Sequence, residues 1–251
     1  IDEDEVKEVV EVLRSGWLTH GPKTKEFEQR FAEYCGAKYA VAVNSCTAAL
    51  HLSLKALGAG RGDEIIVPAQ THVATAHAVM YQGATPVFAD VDLYTYNIQP
   101  ESVAEKISKR TKGIIPVHFA GQPCDMDKIY DIANEYHLFV LEDAAHALGA
   151  EYEGRKIGSL DSAAACFSFY PVKHITTGEG GMVVTNDEKI AEIATLNRAF
   201  GITKSTWERT TTYRPWHYEV EDIGFNYRMT EIGAAIGINQ LKKIDEFNDI
   251  R

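Results

Sequence analysis

The chain has 251 residues, 45% of them hydrophobic, enough to bury a large core as one big α/β domain or a domain plus part of another. Its formal net charge of −11, with no local basic patch, excludes general binding to nucleic acid or to an anionic membrane. Four cysteines without a CxxC pair and nine histidines without HExxH or zinc-finger spacing predict reduced thiols, a cytoplasmic setting and no structural metal, and the acidic start Ile1 to Glu5 and the lack of a long apolar run predict neither signal region nor membrane span.

Val6, Val9, Val10 and Leu13 recur at helical spacing behind Asp2 and Glu5, a cap and its capping partner, so residues 1–15 read as an amphipathic helix with its acidic residues in solvent. Trp17 to Pro22 breaks the pattern. A second helix is predicted from about Thr24, with Phe27, Phe31 and Tyr34 inward and Gly36 as its stop. Tyr39 to Val43 reads as a strand, and Asn44-Ser45-Cys46-Thr47 turns directly into the helix-forming run from Ala48. Strand, small-residue turn and helix make a phosphate-site geometry, in which the first helical amides and the Thr47 hydroxyl can hold a dianion near the positive end of the dipole. Serine and threonine are also ordinary N-caps, so both readings stand at this point.

Glu64 to Pro68 is a further strand, and a helix follows from Gln70, with His72 at its start. Thr85 to Val91 and Lys112 to His118 read as core strands joined through a helix around Glu101 to Ser108, and Asp125 caps a helix that turns Met126, Ile129, Tyr130 and Ala133 inward. Leu138 to Leu141 is a strand that ends in Glu142-Asp143. In a doubly wound α/β sheet ligands bind beyond the carboxyl ends of the strands, which places Asp143 at the site. Glu142 should point to the other face, so the two acids do not share a metal ion.

Ala163 to Phe169 and Gly181 to Thr185 read as buried strands, and between them the Gly/Thr-rich turn carries Lys173. Partial desolvation there lowers a lysine's pKa and frees its amine as a carbonyl nucleophile, whereas the plain alternative is a surface lysine in a hairpin loop. Asn186-Asp187 caps a helix carrying Ile190, Ile193 and Ala194. Thr203 to Asp222 is polar and aromatic without a period, a long connection or lid. Gly224 to Thr230 precedes a helix from Ile232, whose apolar face continues through Leu241, Ile244 and Phe247.

From about Gly16 onward the sequence resembles the DegT/DnrJ/EryC1/StrS sugar aminotransferases, on the run Phe167 to Gly181 and on Gly224-Phe225-Asn226-Tyr227-Arg228-Met229-Thr230. The resemblance implies a fold-type I pyridoxal phosphate (PLP) enzyme, with a mainly parallel, doubly wound sheet and helices on both faces. It also implies a large PLP-binding domain over 16–240, and a connection from 241–251 to a C-terminal small domain that these residues lack. It puts the covalent anchor on Lys173, where a related dehydratase branch has histidine, and the partner of the pyridine nitrogen on Asp143. Ser45, Cys46, Thr47 and Ser168 fall on the phosphate positions, with Cys46 where the family usually has glycine. His72 falls on the ring-stacking position, His146 near the phenolic oxygen, and Asn226 on the residue that reaches the phosphate of a neighbouring subunit in a homodimer with shared sites.

The activity so implied is transamination of a nucleotide-linked keto-sugar with L-glutamate as donor. The stretch from Phe200 to Lys204 and on through Pro215 to Glu219 most resembles the branch that aminates carbon 4 of UDP-linked 4-keto-6-deoxy-N-acetylhexosamines, in surface polysaccharide or nonulosonic acid biosynthesis. Another sugar aminotransferase or a dehydratase of the same fold, or a non-catalytic PLP-binding regulatory protein, are the alternatives.

Overall fold

The computed structural model describes residues 1–203, 206–210, 213–214 and 216–250. In chain order the elements are α1 (Glu3–Ser15), α2 (Pro22–Cys35), β1 (Tyr39–Val43), α3 (Cys46–Ala56), β2 (Glu64–Pro68), α4 (Val73–Tyr81), β3 (Thr85–Ala89), α5 (Pro100–Glu105), β4 (Thr111–Ile114) and α6 (Met126–Tyr136). They continue as β5 (Phe139–Asp143), β6 (Glu151–Tyr152), β7 (Arg155–Lys156), β8 (Ala164–Ser168), β9 (Gly181–Thr185), α7 (Glu188–Asn197), α8 (Thr206–Thr210), α9 (Glu231–Lys242) and α10 (Ile244–Ile250).

Among the described residues seven strands form one sheet in the order β1-β9-β8-β5-β4-β2-β3, and β6 pairs only with β7. β9 runs antiparallel to both of its neighbours, the remaining pairs of the seven-stranded sheet are parallel, and β6–β7 is antiparallel. Strand residues alternate between two apolar layers. Ala42, Ile66, Val140, Phe167 and Met182 join Phe27 and Phe31 on one side, while Val41, Ile65, Val67, Leu141 and Val183 join Leu50, Leu52 and Leu54 on the other. A sheet covered on both faces needs continuous apolar strands, which is why these segments read so plainly. The parallel strands deliver their carboxyl ends to one rim, and the fold is the α/β sandwich predicted.

Asp2 and Glu5 form the expected capping box on α1. The polarity of that helix differs from expectation, since Glu5 is only 1% exposed while Val6 and Leu13 are 48% and 53% exposed. The Glu5 carboxylate points inward because Gln240 and Lys243 donate to it. α2 starts at Pro22, two residues earlier than expected, on a cap from outside itself. Glu231, the first residue of α9, accepts from the amides of Gly21, Lys23 and Thr24 and from the Thr24 hydroxyl. β4 stops at Ile114 instead of running to His118, and Pro116, which has no N–H, lies just beyond.

β1 lies at one edge of the sheet, its outer side facing no further strand, although Val43 bridges Arg228. The Ala42 amide donates to Glu28 at 2.9 Å and its carbonyl accepts from Arg198 at 2.8 Å, and Glu28 and Arg198 are themselves ion-paired. Within the long connection α8 occupies 206–210, whereas Lys204, Ser205, Thr211, Thr212 and Pro215 of that segment lie outside the described residues, as does Arg251.

Candidate active site

Three strand ends lie side by side at the rim, because Val43 pairs with Gly181 and Gly181 with Ser168. The turn after β1 runs straight into α3, so the helix N-terminus is fixed against this rim. Ser45 is the N-cap, its hydroxyl oxygen accepting from the Ala48 amide at 3.1 Å, and the first intrahelical bond is that of Ala49 to the Ser45 carbonyl. The Cys46 and Thr47 amides precede that bond and sit where helices receive anions. A Cβ on Gly181 would lie 2.5 Å from the Cys46 nitrogen, so only glycine lets β9 back this turn so closely. Ser168 and Thr47 are half-buried beside it. The Cys46 side chain turns away from the helix end, its thiol 3.6 Å from the Cys166 carbonyl oxygen, and burial raises its pKa well above an ordinary thiol's.

Lys173 occupies the loop between β8 and β9, closed at its base by Phe169 N–H to the Gly180 carbonyl and by Thr177 N–H and the Thr176 hydroxyl to the Phe169 carbonyl. A further turn bond joins the Lys173 amide to the Tyr170 carbonyl at 2.9 Å. The lysine is half-buried, and that burial lowers its pKa, with the charges of Asp143 and Cys46 pulling the other way. Asp143 ends β5, 5% exposed. Its Oδ2 accepts from the Thr75 hydroxyl at 2.7 Å and its Oδ1 from the Ala145 amide at 3.2 Å. Glu142 faces the opposite side of the sheet, where its carboxylate meets His118 Nε2 at 2.8 Å, so the two acids are separated as expected. His118 Nδ1 accepts from the Cys124 amide, which places the ring proton on Nε2.

His146 is half-buried, its Nδ1 has no hydrogen-bond partner, and its pKa is lowered by burial first and the Lys173 charge second, with Asp143 opposing and His72 adding to the depression. Asp143 pairs with Cys166 on β8, two residues before Ser168, so the ends of β5 and β8 lie at the same rim, where the charges of Lys173 and Asp143 both reach His146. His72 is exposed and serves as N-cap of α4, its Nδ1 accepting from the Ala74 amide at 3.2 Å. Asn226 is exposed too, and Thr230 caps α9. The Asn226 carbonyl accepts from the Asn44 side chain at 3.4 Å, and the Asn44 amide donates to Tyr227, so the Gly224 to Thr230 segment is moored to the end of β1 next to the α3 turn.

Sequence reasoning missed Thr75 and Gly181. Gly181 stands in a Gly-Glu-Gly-Gly run that could have flagged a close backbone approach, but Thr75 carried no signal, being one of two threonines, with Thr71, on an unexceptional helix start. The set suits a phosphorylated pyridine aldehyde: helix-end amides where an anion would sit, a half-buried amine, a buried carboxylate and an imidazole whose Nδ1 has no partner. Among the described residues no group of His, Cys, Asp and Glu is placed to hold a metal, and no helix is long and apolar enough to cross a membrane.

The chain is 49% identical over 251 residues to the spore coat polysaccharide biosynthesis protein SpsC of Bacillus subtilis, covering all of this chain and 64% of that protein. It is 47% identical to GDP-perosamine synthase of Caulobacter vibrioides, over 98% of this chain and 64% of the relative. The chain thus spans just under two thirds of these relatives' length. A solved structure, the aminotransferase from Psychrobacter cryohalolentis, superimposes with a TM-score of 0.92 at 42% identity, over 98% of this chain and 63% of that one. The profile of the DegT/DnrJ/EryC1/StrS aminotransferase family matches residues 1–251, and the chain belongs to that family.

Proposed function

We propose that the protein is a PLP-dependent aminotransferase that transfers an amino group from L-glutamate to a nucleotide-linked keto-sugar. The observation that carries this reading is the convergence, at one sheet rim, of a desolvated lysine and a buried aspartate beside an anion cradle. Family membership supports it, and so does the naming of relatives for polysaccharide and perosamine biosynthesis.

When bound, PLP supplies an electron sink for charge developing at the amino-bearing carbon. The chain supplies the rest. The Cys46 and Thr47 amides with the Ser45, Thr47 and Ser168 hydroxyls would hold the phosphate, and His72 would lie against the ring. Asp143 holds a proton on the pyridine nitrogen, because a buried carboxylate stabilises a cation facing it. His146 would lie near the phenolic oxygen. Lys173 Nζ would anchor the cofactor, and as a neutral amine it would take and return the proton at the substrate carbon.

Within that class, the resemblance over 200–219 favours carbon 4 of a UDP-4-keto-6-deoxy-N-acetylhexosamine, in surface polysaccharide or nonulosonic acid biosynthesis in the cytoplasm. The working enzyme is a homodimer with Asn226 crossing to the neighbouring site, and residues 16–240 form its large domain, with 241–251 leading toward a small domain.

Borohydride reduction of the cofactor-loaded protein followed by peptide mapping should place the label on Lys173, and L-glutamate should bleach the yellow colour. A panel of UDP-, GDP- and dTDP-linked keto-sugars then identifies the acceptor. Label on another lysine, or colour indifferent to every amine, refutes the transaminase reading; turnover of a GDP-linked sugar alone refutes the UDP assignment.

A further inference from the structure

α4 starts beside the carboxyl end of β5, and its first turn carries more than His72. The Thr75 side chain is completely buried and donates its hydroxyl to Asp143 Oδ2 at 2.7 Å. Thr75 Oγ1 also lies 2.7 Å from Thr71 Oγ1. A hydroxyl has one proton, and that of Thr75 is directed at Asp143, so Thr71 is the donor in the second bond. With Ala145 N–H on Oδ1, each of the Asp143 oxygens is met by a donor. The Thr75 amide is tied to the His72 carbonyl at 3.1 Å, so the turn that presents His72 to the site also aims the Thr75 hydroxyl.

We infer that Thr75, backed by Thr71, is a positioning residue that decides where the proton rests between Asp143 and the pyridine nitrogen of the cofactor. This rests on the aminotransferase reading of the same site. A hydrogen bond donated to a carboxylate favours its charged form, and here a donor meets each oxygen of Asp143. The proton it faces then stays on the ring nitrogen, the state in which the ring draws electrons. Without the Thr75 hydroxyl, Oδ2 of Asp143 loses its donor, and the shared proton moves toward the carboxylate. Thr71 acts one link away and in the same direction.

The test is nitrogen-15 NMR of protein loaded with PLP labelled at the ring nitrogen, on wild type, Thr75→Val, Thr75→Ser and Thr71→Val. In wild type the resonance should report a protonated nitrogen at neutral pH. Thr75→Val should move it toward the unprotonated value and lower kcat about tenfold, the worth of one bond to a charged group. Thr75→Ser should restore both, and Thr71→Val should give a smaller shift of the same sign. A wild-type resonance in cofactor-loaded Thr75→Val, or a serine variant that behaves like valine, overturns the inference. Should Thr75→Val fail to fold, Thr71→Val decides, and an unmoved resonance there overturns it too. Wild-type protein that takes up no PLP would instead bring down the aminotransferase reading on which the inference stands.

Discussion

Gly181 lies against the peptide that joins Ser45 to Cys46, so closely that a methyl group in place of its hydrogen would sit 2.5 Å from the Cys46 nitrogen. The neighbour it would strike is backbone, which cannot rotate aside. Gly181→Ala is therefore expected to push the α3 turn off the rim, weakening PLP binding at least tenfold and destabilising the fold by about 1–3 kcal/mol, as overpacking does. Equilibrium dialysis of the cofactor and urea unfolding measure the two effects. Unchanged affinity would show that the turn is not the phosphate seat.

Asp143 and Lys173 are electrostatically coupled, and the sign of that coupling can be tested. The aspartate's negative charge raises the lysine's pKa, against the larger lowering by burial. Removing it in Asp143→Asn should lower the Lys173 pKa further, so that more of the amine is neutral at a given pH. In cofactor-free protein, the pH midpoint for trinitrophenylation of Lys173, followed by peptide mass, should fall relative to wild type. The same variant should lose on the order of a hundredfold in transamination rate, the scale for loss of a preorganised charge. A raised midpoint, or a near-normal rate, would count against the assigned role of Asp143.

A shared site has a stoichiometric signature. Lys173→Ala and Asn226→Asp should each be inactive alone, and if Asn226 crosses to the neighbouring site as proposed, a mixed dimer has one site with both lesions and one with neither. Verified heterodimers should recover part of the wild-type activity. An active monomer, or inactive heterodimers, would locate Asn226 in its own subunit's chemistry.

Glu231 holds four donors from the start of α2 on one carboxylate. Glu231→Ala strands those buried groups, and a loss of about 3 kcal/mol in urea unfolding is expected. Glu231→Gln, which keeps one acceptor oxygen, should lose less. Equal stability of all three proteins would refute the cap.

The sheet was legible because its strands are buried on both faces and bounded by turn residues, as in Tyr39 to Val43 and Gly181 to Thr185. Asp143 was legible for a topological reason, being the last residue of a buried parallel strand. Burial set by distant partners was not legible. Glu5 looks like one more solvated acid until Gln240 and Lys243, more than two hundred positions away, are folded against it. Thr75 meets Asp143 across 68 positions, and no helical period marks which threonine will do so. The His72 side chain caps its own helix, a short-range bond that sequence alone could not weigh against ring stacking.

The Glu28 and Arg198 side chains occupy the Ala42 amide and carbonyl at the open margin of β1, and at the other margin β3 carries Pro86, which has no N–H to offer. An invading strand would find no run of free donors and acceptors to zip onto at β1, and at β3 it would meet a gap in the donor row. Neither end of the sheet is a ready template for cross-β growth, so the folded chain is guarded against self-templating aggregation even though one guard is a pair of charges.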